Sequence, residues 1–188
     1  MRTSFRLAAV TLVFAVGLSL GGCAPDAPAP KPTASPSATP LFATDEEALA
    51  AAEEAYAAYQ AMSDAILMDG GKAPERLLEV ATEEQYEAEK AGIDDIAASG
   101  YRSIGATKFD SMTIQMRAER PAPDDPIVTV YVCDNYADVD VVDASGNSVV
   151  APDRPDRFPR VVAFGANMDP QERLVVASID EWTGKAFC

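Results

Sequence analysis

The hydrophobic residues of this chain change their spacing once, near residue 100, and that change limits the possible fold more than any other feature. Before it, Leu49, Ala52, Tyr56, Tyr59, Met62 and Ile66 recur at steps of three and four, which places them on one stripe of a helix about 25 residues long. After it, Met112, Ile114, Met116 and Ala118 alternate with Ser111, Thr113, Gln115 and Arg117, the period of two that a half-buried strand requires. Capping residues mark the helical part. Thr44 precedes Asp45, Glu46 and Glu47, a capping box whose carboxylates lie at the positive end of the helix dipole. Gly70 and Gly71 stop the first helix. Pro74 suits a first turn, and Leu77, Leu78 and Val80 indicate a short second helix. Thr82 with Gln85 forms another capping box, opening a third helix through Tyr86, Ile93 and Ile96 that ends at Gly100. Further strands are expected at 127–133, 137–142, 160–165 and 174–182. They are separated by Pro121-Ala122-Pro123, Ser145-Gly146-Asn147 and Asp169-Pro170. Helices followed by closely linked strands predict an α+β domain, with a long N-terminal helix and two shorter ones packed on a curved antiparallel sheet of about five strands.

Ahead of this domain stand two segments of a different kind. Arg2 and Arg6 precede an uncharged, largely apolar run at 7–20, followed by Gly21, Gly22 and Cys23. A spanning helix needs about 20 apolar residues, so the run is too short to cross a bilayer and reads as an export signal covering 1–22. The sequence Leu20-Gly21-Gly22-Cys23 resembles the lipobox of bacterial lipoproteins. The resemblance implies cleavage between Gly22 and Cys23, and a diacylglycerol joined to the Cys23 thiol as the protein's link to the membrane. Two acyl chains, each buried CH₂ contributing about 0.8 kcal/mol, hold a protein at a bilayer almost permanently. Residues 24–40 contain six prolines and no aromatic or branched aliphatic side chain, so they lack the means to offset the entropy of packing. In a polyproline-type conformation such a tether reaches roughly 50 Å. The expected organisation is therefore 1–22 signal, 23–43 lipidated cysteine and tether, and 44–188 domain, held at the outer face of the cell membrane.

Charge and composition remove several function classes. The chain has 15 Lys and Arg against 30 Asp and Glu. Without Arg2 and Arg6 the mature part has 13 against 30, a net charge of about −17. Such a field repels phosphate backbones, so no nucleic-acid partner is expected. There is no histidine, which excludes Ser-His-Asp and Cys-His catalysis and every imidazole metal site. No phosphate loop or dinucleotide fingerprint is present, and no cofactor is expected. Of three cysteines, Cys23 is assigned to lipid. Cys133 and Cys188 are left as an even pair in an oxidising compartment, which reads as a disulfide.

The element order over 44–188 is similar to the nuclear transport factor two-like fold, a cone in which a curved sheet wraps a long N-terminal helix; a cystatin-like sheet gives a similar string. With ten Arg to five Lys and an Ala/Pro-rich tether, the chain also looks like small actinobacterial lipoproteins carrying such domains. Isomerases of the first fold use an Asp base and a Tyr donor deep in the cone. The long helix offers Tyr56 and Tyr59, both on the stripe assigned to core packing. Phe109, Phe164 and Trp182 read as core, as sheet cover or as the aromatic wall of a cavity. The acidic run from Asp134 to Asp143 invites a calcium reading through Asp138, Asp140 and Asp143, against a plain reading as a soluble edge strand and polar hairpin. The expected function is a binding or scaffold module of the cell envelope, engaging an envelope protein or a small apolar molecule. A cofactor-free isomerase or hydrolase using Asp/Glu and Tyr, and a calcium-stabilised envelope module, remain as alternatives.

Overall fold

The computed structural model describes residues 41–119, 121–122, 125–166, 173–185 and 187–188. The residues expected to form an export signal and a tether, 1–40 with Cys23 among them, and the turn residues Pro123, Asp169 and Pro170 lie outside the described residues. Helix α1 spans Asp45–Met68. Thr44 is extended and its hydroxyl accepts the Glu47 amide at 3.2 Å, while the Glu47 carboxylate accepts the amide of Ala43. The buried face of α1 is Ala48, Ala52, Ala55, Tyr56, Tyr59 and Ile66, together with the polar Gln60 and Asp64. Leu49 and Met62, expected at the stripe's centre, are only partly buried along its edge. Alanines take the centre because their small side chains let the helix axis approach the sheet closely.

Gly70 and Gly71 both have positive φ, and the Gly71 amide bonds back to the Ile66 carbonyl, so the helix stops where the sequence says it should. The expected short second helix is a single 3₁₀ helix, Pro74–Glu79, in which Leu77 is buried and Leu78 is exposed. Helix α2 runs Glu83–Ser99 and ends at Gly100 with φ 67. Its capping box is half formed. The Thr82 hydroxyl accepts the Gln85 amide, but the Thr82 amide donates to the Val176 carbonyl. Gln85 therefore turns inward instead of back on the cap.

Six strands form two antiparallel sheets, in place of about five strands in one. These are β1 Arg102–Ile104, β2 Lys108–Arg117, β3 Val128–Asn135, β4 Asp140–Val142, β5 Arg157–Ala166 and β6 Leu174–Glu181. The larger sheet has the order β2-β3-β5-β6, and β1 pairs with β4. Strand β1 has only three residues, too few to register as a period in the sequence. The strand expected at 137–142 is reduced to β4, because the Val139 amide closes a turn onto the Tyr136 carbonyl. Gly105, φ 84, lies against this turn; any Cβ there collides with the Asp138 carbonyl.

Strand β2 starts earlier than expected and is bulged at Ser111, φ 57, and again between Ile114 and Met116. The second bulge reverses the alternation, so Met116 is exposed. Arg117 reaches the Asp45 carboxylate and the Phe42 carbonyl instead, clamping the start of α1. In β3, Val128, Val130 and Val132 are fully buried and pack with Tyr56, Ile66, Leu77, Phe164 and Val176 in one core between α1 and the sheet. Thr129, Tyr131 and Cys133 point the other way. On that outer face Trp182 and Phe187 pack edge-on against Tyr131. Cys133 and Cys188 form a disulfide-capable pair with Cα atoms 5.6 Å apart, bringing the last residue onto the central strand.

Candidate functional site

Strand alternation carries one further residue of β3 into the core. Val128, Val130, Val132 and Asp134 share a face, so a carboxylate occupies the fourth position of an apolar row and is 1% exposed. Three elements supply its partners. Tyr56 and Gln60, one turn apart on α1, both donate to Oδ1, at 2.8 Å and 3.4 Å. Tyr136, two residues past Asp134 and again on the inner face, donates to Oδ2 at 3.4 Å. Arg160 sits opposite Val132 in the β3–β5 register, which brings its Nε to 3.7 Å from Oδ2. Its guanidinium also lies over the Phe158 ring.

Burial raises the Asp134 carboxyl above its ordinary value, opposed by the Tyr56 hydrogen bond, the Arg160 charge and the Tyr136 hydrogen bond. Burial first and the Asp134 charge second push the Tyr136 phenol up to about 12. The same two causes push Tyr56 further in the same direction. None of these phenols ionises near neutral pH, so all act as hydrogen-bond donors. One turn along, the Tyr59 hydroxyl accepts from Gln85, and Gln85 also donates to Glu89. Both Asp64 oxygens are held by Thr107, one by its amide and one by its hydroxyl, each at 2.8 Å.

A cleft opens between this polar cluster and α2. Its polar half, about 260 Å³, is lined by Ser63, Asp64, Glu89, Asp134, Tyr136 and Arg160. An apolar half of about 300 Å³ continues along Ile93, Ile96, Val139 and Val141, with Ser63, Asp64, Leu67, Glu89, Thr107 and Tyr136 common to both halves. Arg154 borders the apolar half and donates to the Tyr136 and Val139 carbonyls.

Asp134 heads the acidic run expected to be a soluble strand and hairpin, but it is buried, 1% exposed, while Asp138, Asp140 and Asp143 are not. Gln60, Tyr136 and Arg160 join it without any local mark of a site in the sequence. The signal at Asp134 is a polar residue continuing an apolar alternation, and it names no partner. Tyr56 and Tyr59 are core residues, as expected, and also hydrogen-bonded members of the cluster. Phe164 and Phe109 pack edge-on to Tyr56, while Trp182 lies on the opposite face of the sheet.

Asp138, Asp140 and Asp143 each have a separate engagement. Asp138 pairs with Lys108 in a turn, not on a strand. Asp140 accepts from the Ser148 hydroxyl and the Val141 amide, and Asp143 accepts the amides of Ser145 and Asn147. Among the described residues, no three acids or cysteines come together as a metal-holding group. Cys23 and Gly22 lie outside the described residues.

No protein-family model matches the chain, and no curated protein matches it significantly. Among solved structures the chain is similar to Aln2 from a Streptomyces species, with a TM-score of 0.43 and 18% sequence identity over 73% of this chain and 93% of that one.

Proposed function

We propose that the protein is a lipid-anchored, extracytoplasmic binding module that takes a small molecule into the cleft between α1, α2 and the sheet. The observation that carries this reading is the cleft itself, which joins a polar end at Tyr136 and Arg160 to an apolar wall at Leu67, Ile93 and Ile96. That combination of apolar lining with a few convergent polar groups characterises small-molecule sites. One long helix laid on a four-stranded antiparallel sheet supports the nuclear transport factor two-like reading of the domain. The Leu20-Gly21-Gly22-Cys23 sequence supports anchoring through Cys23, and the Cys133–Cys188 pair supports an oxidising compartment.

The test is mass spectrometry on protein extracted from the envelope fraction. Under denaturing conditions a mass beginning at Cys23 with a diacylglycerol added is expected, and a chain that keeps residues 1–22 overturns the anchor. Under native conditions a retained small-molecule mass is expected, and a bare protein mass overturns the ligand reading. Alkylation without reductant should leave Cys133 and Cys188 unmodified. Reduction should then cost about 4 kcal/mol of stability for a loop of this length.

A second reading has one observation in its favour. The raised Asp134 carboxyl beside Tyr56 and Tyr136 supplies the acid and base groups of a cofactor-free isomerase or hydrolase. Both Asp134 oxygens already accept protein hydrogen bonds, which favours binding over proton transfer. Turnover abolished by Asp134→Asn with folding intact would reverse that preference.

A further inference from the structure

We propose that the molecule taken by the cleft is a small amphiphile with a single carboxylate, its head paired with Arg160 and its apolar body lying against Leu67, Ile93, Ile96, Val139 and Val141. The inference rests on the ligand reading of the cleft and names the chemistry that fits it. The charged groups lining the cleft differ in how far the protein satisfies them. Asp64 has both oxygens bound by Thr107. Asp134 accepts from Tyr56, Gln60 and Tyr136, and Glu89 accepts from Gln85.

The two arginines are the exceptions, and Arg160 is the one at the polar end. Its Nε is buried without a hydrogen-bond partner among the described residues, and its nearest anion, Asp134, stands at 3.7 Å. An unpaired buried donor costs far more than a typical hydrogen bond contributes, so the unfilled valence in this cleft belongs to a cation. Arg154 adds a second positive charge at the apolar half. Its Nη2 is fixed by two backbone carbonyls and its Nε likewise lacks a partner among the described residues. Both Nε atoms are closed to solvent, so a ligand meets the rest of the guanidinium: the Arg160 side chain is about 25% exposed, and an anion there adds the counter-charge that Asp134, at 3.7 Å, supplies only in part. A guanidinium presents a planar fork that a carboxylate matches with two parallel hydrogen bonds.

Three carboxylates, Asp64, Glu89 and Asp134, face the same space, so a dianion is repelled about twice as strongly as a monoanion, and a single charge is all that Arg160 can offset. The apolar half sets the rest of the molecule. A cleft of about 300 Å³ lies at the small end of ligand sites, which suits a medium-length chain or one ring system and excludes a whole membrane lipid.

The experiment uses the chain from residue 23 with Cys23→Ser, so that no attached lipid competes, titrated calorimetrically with octanoate, 1-octanol, octylamine and octyl phosphate. Octanoate is expected to bind at least tenfold more tightly than the other three. Arg160→Gln, with its fold checked by circular dichroism, is expected to lower octanoate affinity to that of octanol and leave octanol unchanged. Octanol equal to octanoate, or octylamine or octyl phosphate tighter than either, overturns the carboxylate assignment and leaves the cleft as a ligand site. No binding by any of the four overturns the ligand reading with it. If Arg160→Gln does not fold, Arg160→Lys takes its place. Full octanoate affinity in that variant, where the bidentate fork is gone, counts against Arg160 as the head-group partner.

Discussion

Asp134 and Asp143 belong to one acidic run of ten residues, yet they occupy opposite physical regimes. Asp134 ends the apolar row of β3 and takes its hydrogen bonds from side chains as much as 78 residues away in sequence. Asp143 heads an exposed turn and takes its hydrogen bonds from Ser145 and Asn147, two and four residues on. The first carboxyl is raised by burial, the second lowered by the backbone amides it accepts. The comparison teaches that an acid-rich segment is not one electrostatic object. Strand phase decides which member is drawn into the core, and the buried member then organises three elements of the fold around itself.

The sharpest way to break this contrast is to remove Asp134. Asp134→Ala leaves Tyr56, Gln60 and Tyr136 without their acceptor, and the guanidinium of Arg160 without its counter-charge. The expected cost is about 3–5 kcal/mol in denaturant unfolding. Tyr56→Phe, which deletes one of the three donors, is expected to cost about 1–2 kcal/mol. A loss under about 1 kcal/mol for Asp134→Ala would mean that the cluster is an accident of packing and that the two acids are alike after all.

The pH dependence sharpens the contrast because the two signs are opposite. A carboxyl raised above 3.8 holds its proton more tightly folded than unfolded. Its contribution to stability is therefore greatest below that value and is lost as pH rises toward the folded pKa. Asp143 is lowered from the same 3.8, so its contribution is present above that value and is lost as pH falls through the folded pKa. Unfolding free energies of the protein, of Asp134→Asn and of Asp143→Asn across pH 3 to 8 separate the two. Wild type minus Asp134→Asn is expected to decline as pH rises from about 4, and wild type minus Asp143→Asn to increase over the acid limb. Two differences that change in the same direction with pH would remove the regime distinction.

The fold was legible to the extent that its determinants are local. Thr44 and Thr82 cap the helices, Gly70, Gly71 and Gly100 end two of them, and the alternation around Met112 marks a strand, because each rests on neighbours a few residues away. What escaped is non-local or short. Strand β1 has three residues and exists through its pairing with β4. The bulge between Ile114 and Met116 reverses a pattern that the sequence shows as regular. The site was less legible still. Asp134 follows a disulfide-capable cysteine and precedes Asn135, and on local grounds that context is a strand end running into a turn. Its partners on α1 and β5 carry no mark of the pairing, since Gln60 lies among alanines and Arg160 follows a proline. Only the register that sets Arg160 opposite Val132, and the helix turn that stacks Gln60 on Tyr56, bring them together.

The smallest expected effect tests the exposed side of the comparison. Asp143→Asn keeps an acceptor oxygen for the Ser145 and Asn147 amides and removes only the charge, so the turn should persist, and near neutral pH the global unfolding midpoint should fall only by the small difference built up over the acid limb. The larger change should appear locally. Charge-assisted hydrogen bonds are stronger than neutral ones, so amide exchange at Ser145 and Asn147 should accelerate severalfold while amides of β3 keep their protection. Millimolar calcium should leave both readouts unchanged, because Asp138, Asp140 and Asp143 answer to Lys108, Ser148 and Asn147 separately. A midpoint raised by calcium and lost in Asp143→Asn would show that these three carboxylates act together after all. The exposed half of the run would then have a collective chemistry that the buried half lacks.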